Sequence, residues 1–87
     1  MSTLHAMSEE QILAALIMIL EDVAPEADFD EIEPDEDIRE ALDIDSFDFL
    51  NVLIALNDET GVEIPEADYG KLVSLDDIVK YVAAKMP

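Results

Sequence analysis

The chain has no cysteine and no tryptophan, two glycines, one histidine, and four basic residues (Arg39, Lys71, Lys80 and Lys85) against 23 acids. Without cysteine there are no disulfides and no thiolate metal ligands, a usage that suits the reducing cytoplasm. The one histidine, His5, lies in the first few residues. No serine therefore has a neighbouring base, and self-contained catalysis is not expected. The shortage of cations leaves a net charge of −19. Such a field repels phosphate backbones and anionic lipid, which excludes nucleic acid as a direct partner. The apolar run Ile12 to Leu20 is too short to span a bilayer, and Glu9 and Glu10 stand where a signal peptide carries positive charge. The expectation is a soluble cytoplasmic protein with no membrane insertion.

What is present argues for a folded chain. Of the 87 residues 51% are apolar, too many for a disordered acidic tail. One small domain over 1–87 is expected, with 1–7 as a loose tail, burying roughly 60% of its unfolded surface and monomeric by default. The acidity has two readings of similar weight. It keeps a small protein in solution, or it steers basic protein surfaces toward this one.

Periodicity predicts an all-α fold. A first helix runs from Ser8 to about Asp22, with Ile12, Leu13, Leu16, Ile17 and Leu20 at helical spacing, a capping box from Ser8 to Gln11, and Pro25 beyond its end. The stretch from Val23 to Asp45 is too long for a structureless loop in a compact domain, so Phe29, Ile32, Ile38 and Leu42 read as anchors and a helical turn is expected around Asp37 to Ala41. A second long helix spans about Ser46 to Thr60 and stops at Gly61. Val62 to Pro65 reads as extended, with a short third helix over Glu66 to Tyr69 that Gly70 should break. The last helix, Leu75 to about Lys85, is capped by Ser74. The sum is a small four-helix bundle, three longer helices and a short third one, with a long loop between the first two.

The helix that starts at Ser46 carries two apolar stripes. Phe49, Val52, Leu53 and Leu56 form one, at i, i+3, i+4, i+7; Phe47, Leu50 and Ile54 form the other. Periodicity alone favours core for both. The second, bordered by Asp48 and Asp58, is otherwise an exposed apolar patch ringed by acid.

Four serines occur. Ser8 and Ser74 read as helix caps, and Ser2 belongs to the terminus. At the fourth, Asp45 is the N-cap candidate and Asp48 its N3 partner, which puts Ser46 at N1 with its hydroxyl outward. No metal site is expected. Asp43-Ile-Asp45 begins like a calcium loop but fails at Phe47, Asp48 and Ile54, so any divalent binding should be loose.

From Ile32 to Lys85 the order of features resembles an acyl carrier protein: anchors Ile38 and Leu42, the run Asp45-Ser46-Phe47-Asp48, a long helix, Glu63-Ile64-Pro65, a short helix and a capped last one. The first helix fits the same plan. The resemblance implies a carrier of acyl intermediates as thioesters, with Ser46 receiving 4′-phosphopantetheine from coenzyme A through a separate magnesium-dependent phosphopantetheinyl transferase. It implies no catalysis by the chain itself. Asp45, Asp48, Asp58 and Glu59 then fall on an acidic recognition face whose apolar spots are Phe47, Leu50 and Ile54, met by basic patches on acyl-loading and acyl-processing enzymes. Acyl chains would be sequestered among Leu16, Leu53, Leu56, Ile64, Leu72 and Val79.

The chain departs from the family pattern at Asp43, usually glycine, at Phe47, usually leucine, and at Asn51 and Asn57, where a fatty acid carrier commonly has glutamate. These departures point to a specialised stand-alone carrier for fatty acid, polyketide or related lipid synthesis. A carrier of aminoacyl or peptidyl groups is the neighbouring reading. From another class, an acidic helical adaptor would use the same patch to bind a basic partner with no prosthetic group.

Overall fold

The computed structural model describes residues 7–86, so His5 and most of the expected loose tail lie outside the described residues. Met7 packs partly against the core.

Helix α1, Glu9–Val23, starts at a complete capping box: Ser8 Oγ accepts from the Gln11 amide at 3.1 Å and Gln11 Oε1 accepts from the Ser8 amide at 2.9 Å. Its buried side is Ile12, Leu16 and Leu20, spaced by four, so they stack on one face. The long connection holds down its anchors with two short elements. A 3-10 turn spans Phe29–Glu31, and helix α2 spans Ile38–Leu42 with Asp37 as its N-cap. The second of these is the helical turn expected there, and it makes the bundle one helix richer than the four-helix reading.

Two backbone bonds fasten this connection to the start of the last helix: the Ile38 amide to the Val73 carbonyl at 3.0 Å, and the Asp76 amide to the Pro34 carbonyl at 2.9 Å. Ile38 is fully buried between them. Asp43 closes α2 in the left-handed region, φ 55° and ψ 45°, with its amide on the carbonyls of Arg39 and Glu40. Glycine adopts this conformation without a Cβ clash, and aspartate is among the few other residues that tolerate it.

Helix α3, Ser46–Thr60, ends at Gly61, φ 76°, with the bounds read from the sequence. After the extended Val62 to Pro65, the short helix is 3-10 in type and runs Glu66–Lys71, past Gly70. Glycine was expected to end it early. The flanking side chains override that local preference, because Leu72 is buried and its amide bonds the Tyr69 carbonyl at 3.1 Å. Helix α4, Leu75–Lys85, opens on a second capping box, between Ser74 and Asp77.

α1 packs on α3 and α4, and one continuous apolar core runs between them from Ile12 to Val82. The short helix is tied to α4 through the Tyr81 hydroxyl, which donates to Asp68 Oδ2; within the short helix itself, Lys71 Nζ lies 3.4 Å from Asp68 Oδ1. The Tyr81 bond holds the Asp68 carboxyl below its ordinary 3.8, assisted by Lys71 and opposed by desolvation. The same bond, with burial, pushes the Tyr81 hydroxyl above its ordinary 10.0.

A depressed carboxyl stabilises the fold above its unfolded pKa and loses that contribution as pH falls through the folded value. A raised phenol stabilises it below its unfolded pKa and loses that contribution as pH rises through the folded value. Tyr81→Phe is therefore expected to lower Tm over the range between 3.8 and 10.0. Against wild type, the gap should close at both the acid and the alkaline end. A gap that stays constant across pH would show that the loss is one of packing.

Candidate functional site at the start of α3

Asp45 is the N-cap of α3, with its carboxylate accepting from the Asp48 amide at 2.8 Å. That bond fixes the first turn and leaves Ser46, at N1, exposed. The Ser46 hydroxyl accepts a hydrogen bond from Arg39 Nη2 at 2.9 Å. Arg39 comes from α2, and its guanidinium carbon stands 5.7 Å from the centre of the Phe49 ring, a cation–π contact that orients the side chain.

The other described serines are occupied. Ser8 Oγ and Ser74 Oγ each accept from an N3 amide, and Ser74 is only 3% exposed. Among the described serines, Ser46 is thus the one whose oxygen is not used as a helix cap.

Periodicity favoured burial of the Phe47, Leu50 and Ile54 stripe, and the structure corrects this. Phe47 is 69% exposed and Ile54 50%, with Leu50 half-buried. A helix lying on the outside of a bundle has neighbours on one side only. Phe49, Val52, Leu53 and Leu56 fill that side, so the opposite stripe faces solvent.

At about 100° per residue, Ser46, Leu50, Ile54, Phe47 and Asp58 fall on one arc of α3. Asp48 and Glu59 fall on another. Glu59 lines a cleft with Ala15, Met18, Ile19, Glu21 and Asp22 of α1, and Asp48 faces the segment after α1 together with Leu42 and Asp43. The seven expected recognition residues are therefore split over two sides of the helix, with Asp45 at its tip.

Sequence reading missed Arg39. The available signal was its isolation, since every other charged side chain from Glu9 to Asp68 is acidic. Its partner, however, lies across a turn that only the fold closes. Among the described residues no group of three or more acidic or histidine side chains is placed to hold a metal ion, and no helix is long and apolar enough to cross a membrane.

A helical bundle that presents an exposed, non-capping serine at the first turn of an acidic helix has the architecture of a carrier domain. Residues 11–82 match the family described as "phosphopantetheine attachment site". The chain is 34% identical over 80 residues to the acyl carrier protein of Acidothermus cellulolyticus, covering 90% of this chain and 92% of that one. It is 32% identical over 77 residues to the meromycolate extension acyl carrier protein of Mycolicibacterium smegmatis, covering 88% of this chain and 77% of the relative. In fold it superposes on the solved acyl carrier protein of Enterococcus faecalis with a TM-score of 0.78 at 24% identity, over 91% of this chain and 99% of that one. The chain belongs to the acyl carrier protein family. It is a carrier whose covalent prosthetic group is 4′-phosphopantetheine, and its family works with phosphopantetheinyl transferases and acyl-processing enzymes.

Proposed function

We propose that Ser46 is the residue that bears the prosthetic group, and that the chain itself catalyses nothing. The observation that carries this is the exposed Ser46 hydroxyl, free of capping duty, at the first turn of α3. The surroundings fit the group: a guanidinium lies 2.9 Å from Oγ, and a phosphodiester there would sit near the positive end of the helix dipole. When bound, the group supplies the thiol that a chain without cysteine lacks, and on it acyl groups ride as thioesters.

The chain's own part is positional. In loading, Ser46 Oγ forms a new bond to the phosphorus of coenzyme A that bears the pantetheine. The bond from that phosphorus toward adenosine breaks, adenosine 3′,5′-bisphosphate leaves, and the serine proton passes to a base on the transferase. Asp45 keeps the turn rigid through its cap on the Asp48 amide.

Phe47, Leu50 and Ile54 supply a short-range apolar fit to partner enzymes, while Asp45, Asp48, Asp58 and Glu59 attract their basic patches. The cargo we infer is an acyl intermediate of fatty acid, polyketide or related lipid synthesis, carried in the cytoplasm by a monomer. Sequestering it would require the buried side chains Leu16, Leu53, Leu56, Ile64, Leu72 and Val79 to part.

The test is direct. Incubated with coenzyme A, magnesium and a broad-specificity phosphopantetheinyl transferase, wild type should gain one phosphopantetheine in intact mass and Ser46→Ala should gain none. An unmodified wild type would support the acidic adaptor, and a modified Ser46→Ala would move the attachment elsewhere.

A further inference from the structure

We propose that Arg39 is a positioning residue for the prosthetic group: its guanidinium holds the phosphodiester on Ser46 and so fixes the direction in which the arm leaves the protein. This rests on the assignment of Ser46.

Arg39 is the one cation in a long acidic stretch, with Glu40, Asp43 and Asp45 close in sequence. The ion pairs within 4 Å among the described residues are Lys71 with Asp68 and Lys80 with Asp76; Arg39 is in neither. Its Nη2 instead donates to the neutral hydroxyl of Ser46. A guanidinium that contacts a hydroxyl amid carboxylates has N–H groups left to offer once that oxygen acquires a charged substituent.

The geometry is built into the fold rather than left to a loose side chain. The Asp37 carboxylate caps α2 through the amides of Arg39 and Glu40, at 3.0 and 3.3 Å. Ile38, immediately before, is fully buried and bonded to Val73. The Arg39 carbonyl accepts from the Ile44 amide at 3.1 Å, which closes the turn that brings Ser46 alongside. The Phe49 ring, 5.7 Å from the guanidinium carbon, limits where the guanidinium can go.

Esterification of Oγ places the non-bridging phosphate oxygens two bonds beyond it, within reach of the same planar fork. Arginine matches two of those oxygens at once, which a lysine ammonium does not. The phosphodiester also adds a negative charge to a protein already at −19, next to the capping residue Asp45. Arg39 is the local charge that offsets it. A phosphate held at this point leaves the arm to pivot beyond the phosphate, not at the serine.

The experiment compares wild type, Arg39→Gln and Arg39→Lys, each before and after loading by the transferase, with intact mass confirming modification. Loading should shift Tm more favourably in wild type than in Arg39→Gln by about 4 °C, the scale of a charge-assisted surface contact in a domain this small. Arg39→Lys should fall between them. The phosphorus-31 signal of the loaded protein should relax faster in wild type than in Arg39→Gln, because a held phosphate tumbles with the domain. In wild type alone, the Arg39 side-chain N–H signal should move on loading. Equal Tm shifts, equal phosphorus relaxation, or an unmoved Arg39 signal in a fully loaded wild type would overturn the role of Arg39 and leave Ser46 standing. A wild type that gains no mass overturns both.

Discussion

Leu53→Ala is expected to lower the stability of this domain by about 2–5 kcal/mol, the range for a leucine removed from a packed core. Leu53 is 1% exposed and lies on the core side of α3, within the apolar core cluster. For a chain this short, native stability is of the order of 5–15 kcal/mol, so the loss is a large share of the total. It translates to a fall in Tm of about 10–30 °C. The adjacent Ile54→Ala is the control. Ile54 is half-exposed on the opposite arc, and its truncation should move stability by only about 0.5 kcal/mol. Melts followed by circular dichroism compare the two directly. Similar losses at both positions would mean that the exposed stripe is packed in solution, and the docking patch would be lost with it.

Asp58→Lys is expected to change folding and recognition in opposite directions. Asp58 lies in the last turn of α3, where a negative charge opposes the helix dipole, and the protein already carries an excess of negative charge. A lysine there should stabilise the fold by about 0.3–1 kcal/mol. The same substitution removes an acid from the arc that holds Ser46 and Ile54. Association with a basic partner enzyme should slow by about tenfold at low salt, and its salt dependence should flatten.

Glu59→Lys makes the same change in net charge one residue away, on the arc facing α1. If steering is local to the Ser46 face, Asp58→Lys slows association more than Glu59→Lys. Equal slowing by both would assign the effect to overall charge, and no slowing by either would remove electrostatic recognition from the account. Stopped-flow association with the transferase at several ionic strengths reads all three outcomes.

The long helices were legible because their signals are local. Ser8 with Gln11 and Ser74 with Asp77 form the capping boxes that the spacing implies, and Gly61 stops α3 where a left-handed residue is needed. The helical turn in the long connection was legible for a different reason: a chain this small has no room for so many unpaired backbone groups, and Ile38 and Leu42 marked where it could pack. The short helix was read less well. Gly70 is a poor helix former, yet Leu72 and Tyr81 hold the segment from outside it, and sequence-local propensity carries no record of those contacts.

At the candidate site the same division holds. Asp45 as cap, Asp48 as its partner and the outward Ser46 follow from adjacent residues, and together with the pattern from Ile38 to Pro65 they determined the family and the nature of the cargo arm. Whether Phe47 and Ile54 are core or surface, which acids share a side with Ser46, and that Arg39 reaches its hydroxyl were decided by tertiary structure alone. The physical reason is that periodicity defines a helix face but not what lies against it. Only the docking of α1 on one side of α3, and the turn that folds α2 back beside its first residues, assign those faces to core, to solvent and to the serine.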